Sequence, residues 1–353
     1  MASSVISSSS RLLLPRFRPT HWPEPFNGLK TITSVSFFSS NPPKPTRVLV
    51  TGGTDGIGKH AVLNLVRNKE KEYEVTFSGR NEEKAENLIK ECRLINGNRK
   101  VDKMIADLSV DAEVKKFADD VANKQFDICI INHGVMRPKS RKIARTRDVT
   151  MMTNLVSSYI ITRAILEGRT SPNRPIHFVF STSIMIKFFP GWLLFVRPEK
   201  RWYLWRYKKF NPKISECWTG ACVGVYTSDF NEYTISKMGM ATLASSISAN
   251  KTLQNVTATS VHPGVVDTNM LESFDEGRQR RAQYIIKRRG TLVDVAGQNL
   301  IRAAEKPLEF GKYYNWDKPE DLSSDIYSNE TIAAFEKAMK ELRKEITGKD
   351  TQT

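Results

Sequence analysis

The chain has 353 residues, 40% of them hydrophobic and 26% charged, with 54 lysines and arginines against 38 acids for a net charge of +16. That is the composition of an ordinary globular protein, long enough for one large α/β domain or two smaller ones, and it excludes a fibrous or wholly disordered chain. The basic balance favours anionic partners (nucleotide phosphates, an anionic membrane surface, nucleic acid) or simply a soluble basic protein.

Cys92, Cys129, Cys217 and Cys222 form no C-x-x-C pair and no cluster with histidine at metal-ligand spacing, so no metal is expected and a reduced compartment is. No run approaches the roughly 18 uncharged apolar residues of a spanning helix. Residues 1–46 are serine-rich, carry Arg11, Arg16 and Arg18, and have no acid before Glu24. This is the composition of a transit peptide for the mitochondrion or another organelle, the alternative being a tail without an address on a cytoplasmic protein. Asn41-Pro42-Pro43-Lys44-Pro45 reads as a stiff linker.

Arg47-Val48-Leu49-Val50 is a short β-type run that leads into Thr51-Gly52-Gly53-Thr54-Asp55-Gly56-Ile57-Gly58 and then a helical pattern with Val62, Leu65 and Val66 on one face. Strand, glycine turn and helix N-terminus together make a phosphate cradle, because glycines let the backbone approach a pyrophosphate and the helix N-terminus attracts the anion. Alternation continues, with strands expected at 74–78, 101–105, 127–131, 176–180, 256–261 and 311–314 and helices at 82–96, 110–123 and 149–167. Asp127-Ile128-Cys129-Ile130-Ile131 is nearly all apolar, as suits a strand buried on both faces, with Cys129 structural. The fold class is therefore α/β, a doubly wound, mostly parallel Rossmann-type sheet in a single domain spanning 47–320, with a helix and tail at 321–353.

At the end of the second strand, where an acid would bind the adenosine ribose of NAD, the chain has Gly79-Arg80-Asn81. Arg80 suits a 2′-phosphate, with Lys59 assisting, so NADP, and NADPH in preference to NADH, is the expected cofactor. Further on, Tyr233 and Lys237 stand four apart. On a helix they share a face about 5–6 Å apart, and a phenol beside an ammonium is a proton donor whose pKa is lowered.

The ordered set Thr51-Gly52-x-x-x-Gly56-Ile57-Gly58, Asn132-His133-Gly134, Asn154, Ser181-Thr182-Ser183, Tyr233-x-x-x-Lys237 and His262-Pro263-Gly264 resembles the short-chain dehydrogenase/reductase superfamily over about residues 46–315. Asn132-His133-Gly134-Val135-Met136 and Ser260 to Thr268 look like its retinol dehydrogenase-like branch. The resemblance implies that Tyr233 is the general acid or base, that Lys237 lowers its pKa and holds the nicotinamide ribose, and that Asn154 keeps the helix geometry and a water relay. It implies a substrate-binding hydroxyl at Thr182, or at Ser183 if the strand end is shifted by one residue. The cofactor would be held by Thr51, Gly52, Asp55, Gly56, Ile57, Gly58, Arg80, Asp107, Asn132, Gly134, Tyr233, Lys237, Pro263, Gly264 and Thr268. His133 stands where the family has a small residue, and its ring is expected to crowd the adenine side.

An insertion at about 184–225 separates Ser183 from Tyr233. Within it, Phe188 to Val196 is apolar and Arg197, Lys200, Arg201, Arg206, Lys208 and Lys209 alternate with Trp202, Tyr203, Trp205 and Tyr207. Rings beside cations suit an anionic bilayer interface, so 184–209 is expected either to touch membrane beside the substrate mouth, or to pack over the cleft, or to form a homodimer contact. The basic clusters at 137–147 and 278–289 have only Tyr284 as an interleaved aromatic, which argues against nucleic acid. Thr291-x-x-Asp294 is expected to cap the next helix, and Ile332, Phe335, Met339 and Leu342 to pack one face of a last helix into the core. The function expected is hydride transfer between NADP(H) and an apolar carbonyl or alcohol of the retinoid, steroid or lipid aldehyde class. The alternative is a nucleotide-binding scaffold without turnover.

Overall fold

Strands β1 (Thr46–Thr51) and β4 (Ile128–Ile131) lie side by side at the centre of an 8-stranded sheet of order β10-β9-β8-β7-β4-β1-β2-β3. The computed structural model describes residues 44–97, 99–136, 142–143, 147–188, 229–268, 270–271, 276–305, 311–316, 318–322 and 324–350. From β1 the chain passes through α1 (Gly56–Arg67), β2 (Tyr73–Gly79), α2 (Glu82–Ile95), β3 (Val101–Ile105) and α3 (Asp111–Ala122), then crosses back to β4 on the other side of β1. This reversal of strand order opens a crevice at the C-terminal ends of β1 and β4, the place where open parallel sheets bind ligands.

After a two-stranded ribbon, β5 (Lys142–Ile143) with β6 (Arg147–Asp148), helix α4 runs over Val149–Glu167. Strand β7 (Ile176–Ser181), helix α5 (Asp229–Ala249), β8 (Val256–His262), α6 (Glu276–Arg289) and α7 (Val293–Glu305) follow. The chain then forms β9 (Tyr313–Asn315), β10 (Lys318–Glu320) and α8 (Asn329–Thr347). Every pairing in the large sheet is parallel except β9 with β10.

The expected strands and helices all form, each within a residue or two of its bounds. One local expectation fails. The helix expected to open at Thr291 starts at Val293. The Thr291 hydroxyl is buried without a hydrogen-bond partner, its side chain packs against Gly264, and Asp294 pairs with His60 and Arg67 instead of closing a capping box. Helix α4 is long and apolar enough to cross a membrane, but 83% of its apolar window is buried inside the protein, so it serves as a core helix.

Two apolar clusters sandwich the sheet. One joins α3, α4, α5 and α8 to Leu49, Cys129, Phe178 and Phe180, and the other joins α1, α2 and α7 to Val48, Val50, Ile130 and Val179. Strand residues alternate between the two, as the period-two pleat requires. Helix α8 begins at Ser328, whose hydroxyl accepts from the Thr331 amide, and ends at Gly348 in a left-handed turn. Its Phe335 meets Tyr159 edge-on. Glu336 beside it accepts from Arg163, from Tyr159 Oη at 2.8 Å and from Ser246 Oγ at 2.5 Å, clasping α8 across both α4 and α5. Arg343 reaches Glu167 in the same way through two nitrogens.

Candidate active site

Tyr233 and Lys237 lie one turn apart on α5 and are 7% and 3% exposed. The Lys237 Nζ lies 5.8 Å from the centre of the Tyr233 ring and donates to the carbonyl of Ser181, at the end of β7, at 2.7 Å. The Tyr233 hydroxyl faces Ser183, whose hydroxyl pulls the phenol pKa down. Thr182, in contrast, holds its buried hydroxyl without a partner and is tied by its backbone amide to the Val261 carbonyl at 2.8 Å. Of the two hydroxyls weighed from the sequence, Ser183 is therefore the one that faces the phenol. Strand β7 runs to Ser181, one residue past the expected Phe180, which is the shift under which the sequence reading offers Ser183 in place of Thr182.

Burial sets the charges here. Loss of water around the phenol pushes the Tyr233 pKa up to about 12, against a smaller downward pull from Ser183, and the same loss brings Lys237 down to about 8. The expectation that Lys237 depresses the Tyr233 pKa is thus reversed in this geometry, since desolvation outweighs the attraction of an ammonium that is committed to Ser181.

Asn154 lies in a π-helical turn, Met152–Val156, within α4. Such turns swell a helix by one residue and are frequent at functional sites. The turn aims the amide at Val135, whose N–H donates to Asn154 Oδ1 at 2.7 Å and whose carbonyl accepts from Nδ2 at 3.0 Å. Nδ2 also donates to Ser236 Oγ at 3.0 Å, and Ser236 donates to the Tyr233 carbonyl. Asn154 therefore locks the α5 turn that carries the pair. Gly134 packs closely beside it: a Cβ there would lie 3.2 Å from Asn154 Oδ1 and 3.3 Å from Lys237 Nζ and would press both side chains back by a few tenths of an ångström.

The glycine turn lies at the edge of the same crevice. Gly52 and Gly56 have φ of 66° and 51°, in the left-handed region that glycine enters without strain. A Cβ on Gly58 would fall 2.1 Å from the Gly52 carbonyl, which fixes the tight passage from turn to helix. Asp55 caps α1 by accepting from the Gly56 amide, and Asn132 Nδ2 donates to the Gly52 carbonyl. Thr268 reaches across from the loop after β8 to within contact distance of Gly56, while Asn299 holds the Pro263 carbonyl and Gly264 turns at φ 130° against Thr291. Thr51, Gly52, Gly56, Gly58, Asn132 and Thr268 are thus joined by direct contacts around the glycine turn. This cradle of left-handed glycines at a helix N-terminus fits a dinucleotide pyrophosphate.

Toward the adenosine end, Arg80 is exposed and has no ion-pair partner among the described residues. Lys59, expected to assist it, is paired with Glu91 at 2.8 Å, whereas Lys84, passed over in the sequence, reaches the turn by pairing with Asp55 at 2.5 Å. Asp107, two residues past the end of β3, has its carboxylate taken by the amide and hydroxyl of Ser109. Ser236 and the Ser181 carbonyl were also missed. Ser236 is signalled by its place beside Lys237, but a backbone acceptor leaves no trace in a sequence. The histidine expected to crowd the adenine side does not do so: the His133 ring is buried among Thr51, Ser157 and Ser158. Among the described residues no group of His, Cys, Asp and Glu is placed to hold a metal.

Residues 46–175 match the family model for short chain dehydrogenase, a segment that holds the glycine turn and Asn154 but ends before Tyr233. The matched segment and the sheet order are similar to those of short-chain dehydrogenases/reductases. The short-chain dehydrogenase chry4 of Gibberella zeae is 29% identical over 231 residues, which cover 64% of this chain and 72% of that one. Human polyprenol dehydrogenase is 28% identical over 139 residues, 38% of this chain and 41% of its own. The NADPH-bound carbonyl reductase from chicken fatty liver superposes with a TM-score of 0.53 at 17% identity, over 78% of this chain and 98% of that one. The similarity is thus to a family of oxidoreductases whose members use a nicotinamide cofactor.

Proposed function

We infer that the protein is an NADP(H)-dependent reductase of apolar aldehydes or ketones, working through Tyr233, Ser183, Lys237 and Asn154. The observation that carries this reading is the buried Tyr233–Lys237 pair, with the lysine tied to the Ser181 carbonyl and the phenol facing Ser183, at the end of the sheet that carries the glycine turn. When bound, the nicotinamide supplies the hydride. Ser183 donates a hydrogen bond to the substrate oxygen and so orients the carbonyl. Tyr233 gives that oxygen its proton, so the alcohol forms and a phenolate is left. Lys237 holds positive charge beneath the phenolate until solvent restores the proton. The raised Tyr233 pKa keeps the acid loaded at neutral pH.

Two features support NADP(H): an exposed, unpaired Arg80, and Lys84 held at the turn by a carboxylate it can exchange for a phosphate. An apolar substrate is supported by the aromatic insertion, nearly all of which lies outside the described residues, and by the similarity to a polyprenol dehydrogenase. The basic helix α6 adds Tyr284 and Ile285, both exposed, among Arg280, Lys287 and Arg288, a pattern that supports contact with an anionic membrane. The test is consumption of NADPH by purified protein on a panel of long-chain and short-chain carbonyls, beside Tyr233→Phe. Loss of turnover in the variant, with NADPH binding kept, is the result expected. Binding without turnover on any carbonyl would favour a nucleotide-binding scaffold, and turnover that survives Tyr233→Phe would refute the chemistry.

A further inference from the structure

His133 follows β4 directly, between the asparagine and the glycine that line the crevice, and the chemistry above gives it no part. Its ring nevertheless spans the gap between the two halves of the site. Nδ1 lies 2.7 Å from Thr51 Oγ1, at the mouth of the glycine turn, and Nε2 lies 2.8 Å from Ser157 Oγ and 3.3 Å from Ser158 Oγ, on α4. Its backbone is as closely held, because a Cβ on Gly52 would fall 2.7 Å from the His133 Cα.

Counting protons assigns the tautomer. The Ser157 hydroxyl lies 2.7 Å from the Thr153 carbonyl and the Ser158 hydroxyl 2.7 Å from the Asn154 carbonyl, so each serine spends its one proton on α4. Ser157 can then only accept from the ring, which places the proton on Nε2. Nδ1 must accept in turn, and the Thr51 hydroxyl supplies the proton, giving up a 3.4 Å contact with the Ile130 carbonyl in favour of one at 2.7 Å. The opposite tautomer would break a 2.7 Å bond to keep one of 3.4 Å. A directed chain results: Thr51 to His133 to Ser157 to the Thr153 carbonyl, one residue before Asn154 and inside the π turn. Burial and the nearby Lys237 charge hold the ring neutral, with its pKa down to about 3, so the chain persists throughout the neutral range.

We propose that His133 is a positioning residue that couples the glycine turn to the Asn154 turn, so that the dinucleotide cradle and the Tyr233–Lys237 pair keep a fixed spacing. The inference rests on the reductase reading for its kinetic consequences and on hydrogen-bond geometry alone for its structural ones. A small residue there would leave Thr51 and Ser157 without a common partner and let α4 shift against the turn. Shifts of well under an ångström at reacting groups change rates severalfold to about a hundredfold.

The experiment uses the full chain and three variants: His133→Ala, His133→Gln, whose amide can accept from Thr51 and donate to Ser157, and Ser157→Ala, which cuts the chain at one link. NADPH affinity is read by fluorescence transfer from protein to nicotinamide, turnover on the best carbonyl of the panel, and the imidazole tautomer by nitrogen NMR between pH 5 and 8. The wild-type ring should stay neutral with its proton on Nε2 over that range. His133→Ala should weaken NADPH binding and lower kcat by about tenfold each, His133→Gln should recover most of both, and Ser157→Ala should fall between. A ring that titrates near pH 6.5 would overturn the proposal. So would NADPH affinity unchanged in both His133→Ala and Ser157→Ala, even with a lowered Tm. Wild-type protein that binds NADPH without turnover would sink the reductase reading and leave the tautomer and affinity arms to judge this one.

Discussion

Replacing Lys237 with methionine should make the fold more stable while it abolishes turnover. The ammonium is buried and its pKa is drawn from the ordinary 10.5 down to about 8. That displacement corresponds to about 3 kcal/mol of strain on the charged form, at roughly 1.4 kcal/mol for each tenfold. Methionine fills a similar volume without the charge and forfeits one hydrogen bond to the Ser181 carbonyl, about 1 kcal/mol. The net gain is about 2 kcal/mol at pH 7, on the order of 5 °C in Tm for a domain of this size. The sign with pH follows from proton counts. Between pH 8 and 10.5 the unfolded lysine is protonated and the folded one is not, so wild-type stability rises with pH through this window. The advantage of Lys237→Met is therefore full below pH 8 and fades toward pH 10.5. Urea unfolding of both proteins from pH 6.5 to 10.5 measures it. Curves that stay parallel across that range, or a variant less stable at pH 7, would refute the argument.

Four other perturbations discriminate between neighbouring residues. Ser183→Ala should lower kcat by about a hundredfold, whereas Thr182→Val, which removes a buried hydroxyl that bonds nothing, should leave kcat within about twofold and cost no stability. Glu336→Ala strands Arg163 without its carboxylate and should cost about 3–5 kcal/mol in urea unfolding, with Glu336→Gln milder. His133 and His262 are buried and His177 is half-buried. Desolvation holds all three neutral, with pKa values of about 3 for His133 and about 4 for His177 and His262, so stability should fall as pH drops from 6.5 toward 4, where the unfolded chain takes up protons that the folded one refuses. Arg80→Ala together with Lys84→Ala should weaken NADPH at least tenfold and NADH little, and equal losses would remove the 2′-phosphate assignment.

What could be read from the sequence followed the strength of the periodic signal. The run Ile128 to Ile131 announces a central strand because both faces are buried, and the spacing of Phe335 and Met339 announces the docking face of α8. The edge strand Lys318–Glu320 carries no such signal, since three residues with a proline in the middle look like a turn. The π turn is invisible for another reason: Met-Thr-Asn-Leu-Val suits an ordinary helix, and only tertiary contact with Val135 and Ser236 selects the wider one. Motif spacing found Tyr233, Lys237 and Asn154, but the choice between Thr182 and Ser183 turned on where a strand stops, and the Lys237 partner is a carbonyl that any residue would offer. The charge balance of the pair was misjudged because spacing says nothing about burial.

The clasp of Glu336 and Arg343 on α4 and α5 has a consequence for synthesis. Tyr233, Lys237, Ser183, Asn154 and the glycine turn all precede residue 300, yet the helices that position them are still open to water on their outer face when that part of the chain has been made. Tyr159, Arg163 and Ser246 wait for Glu336, and Glu167 waits for Arg343. A message cut short before residue 329 would therefore yield a polypeptide with its whole complement of reactive groups and an uncovered apolar flank. Such a product would be a substrate for quality control rather than a catalyst.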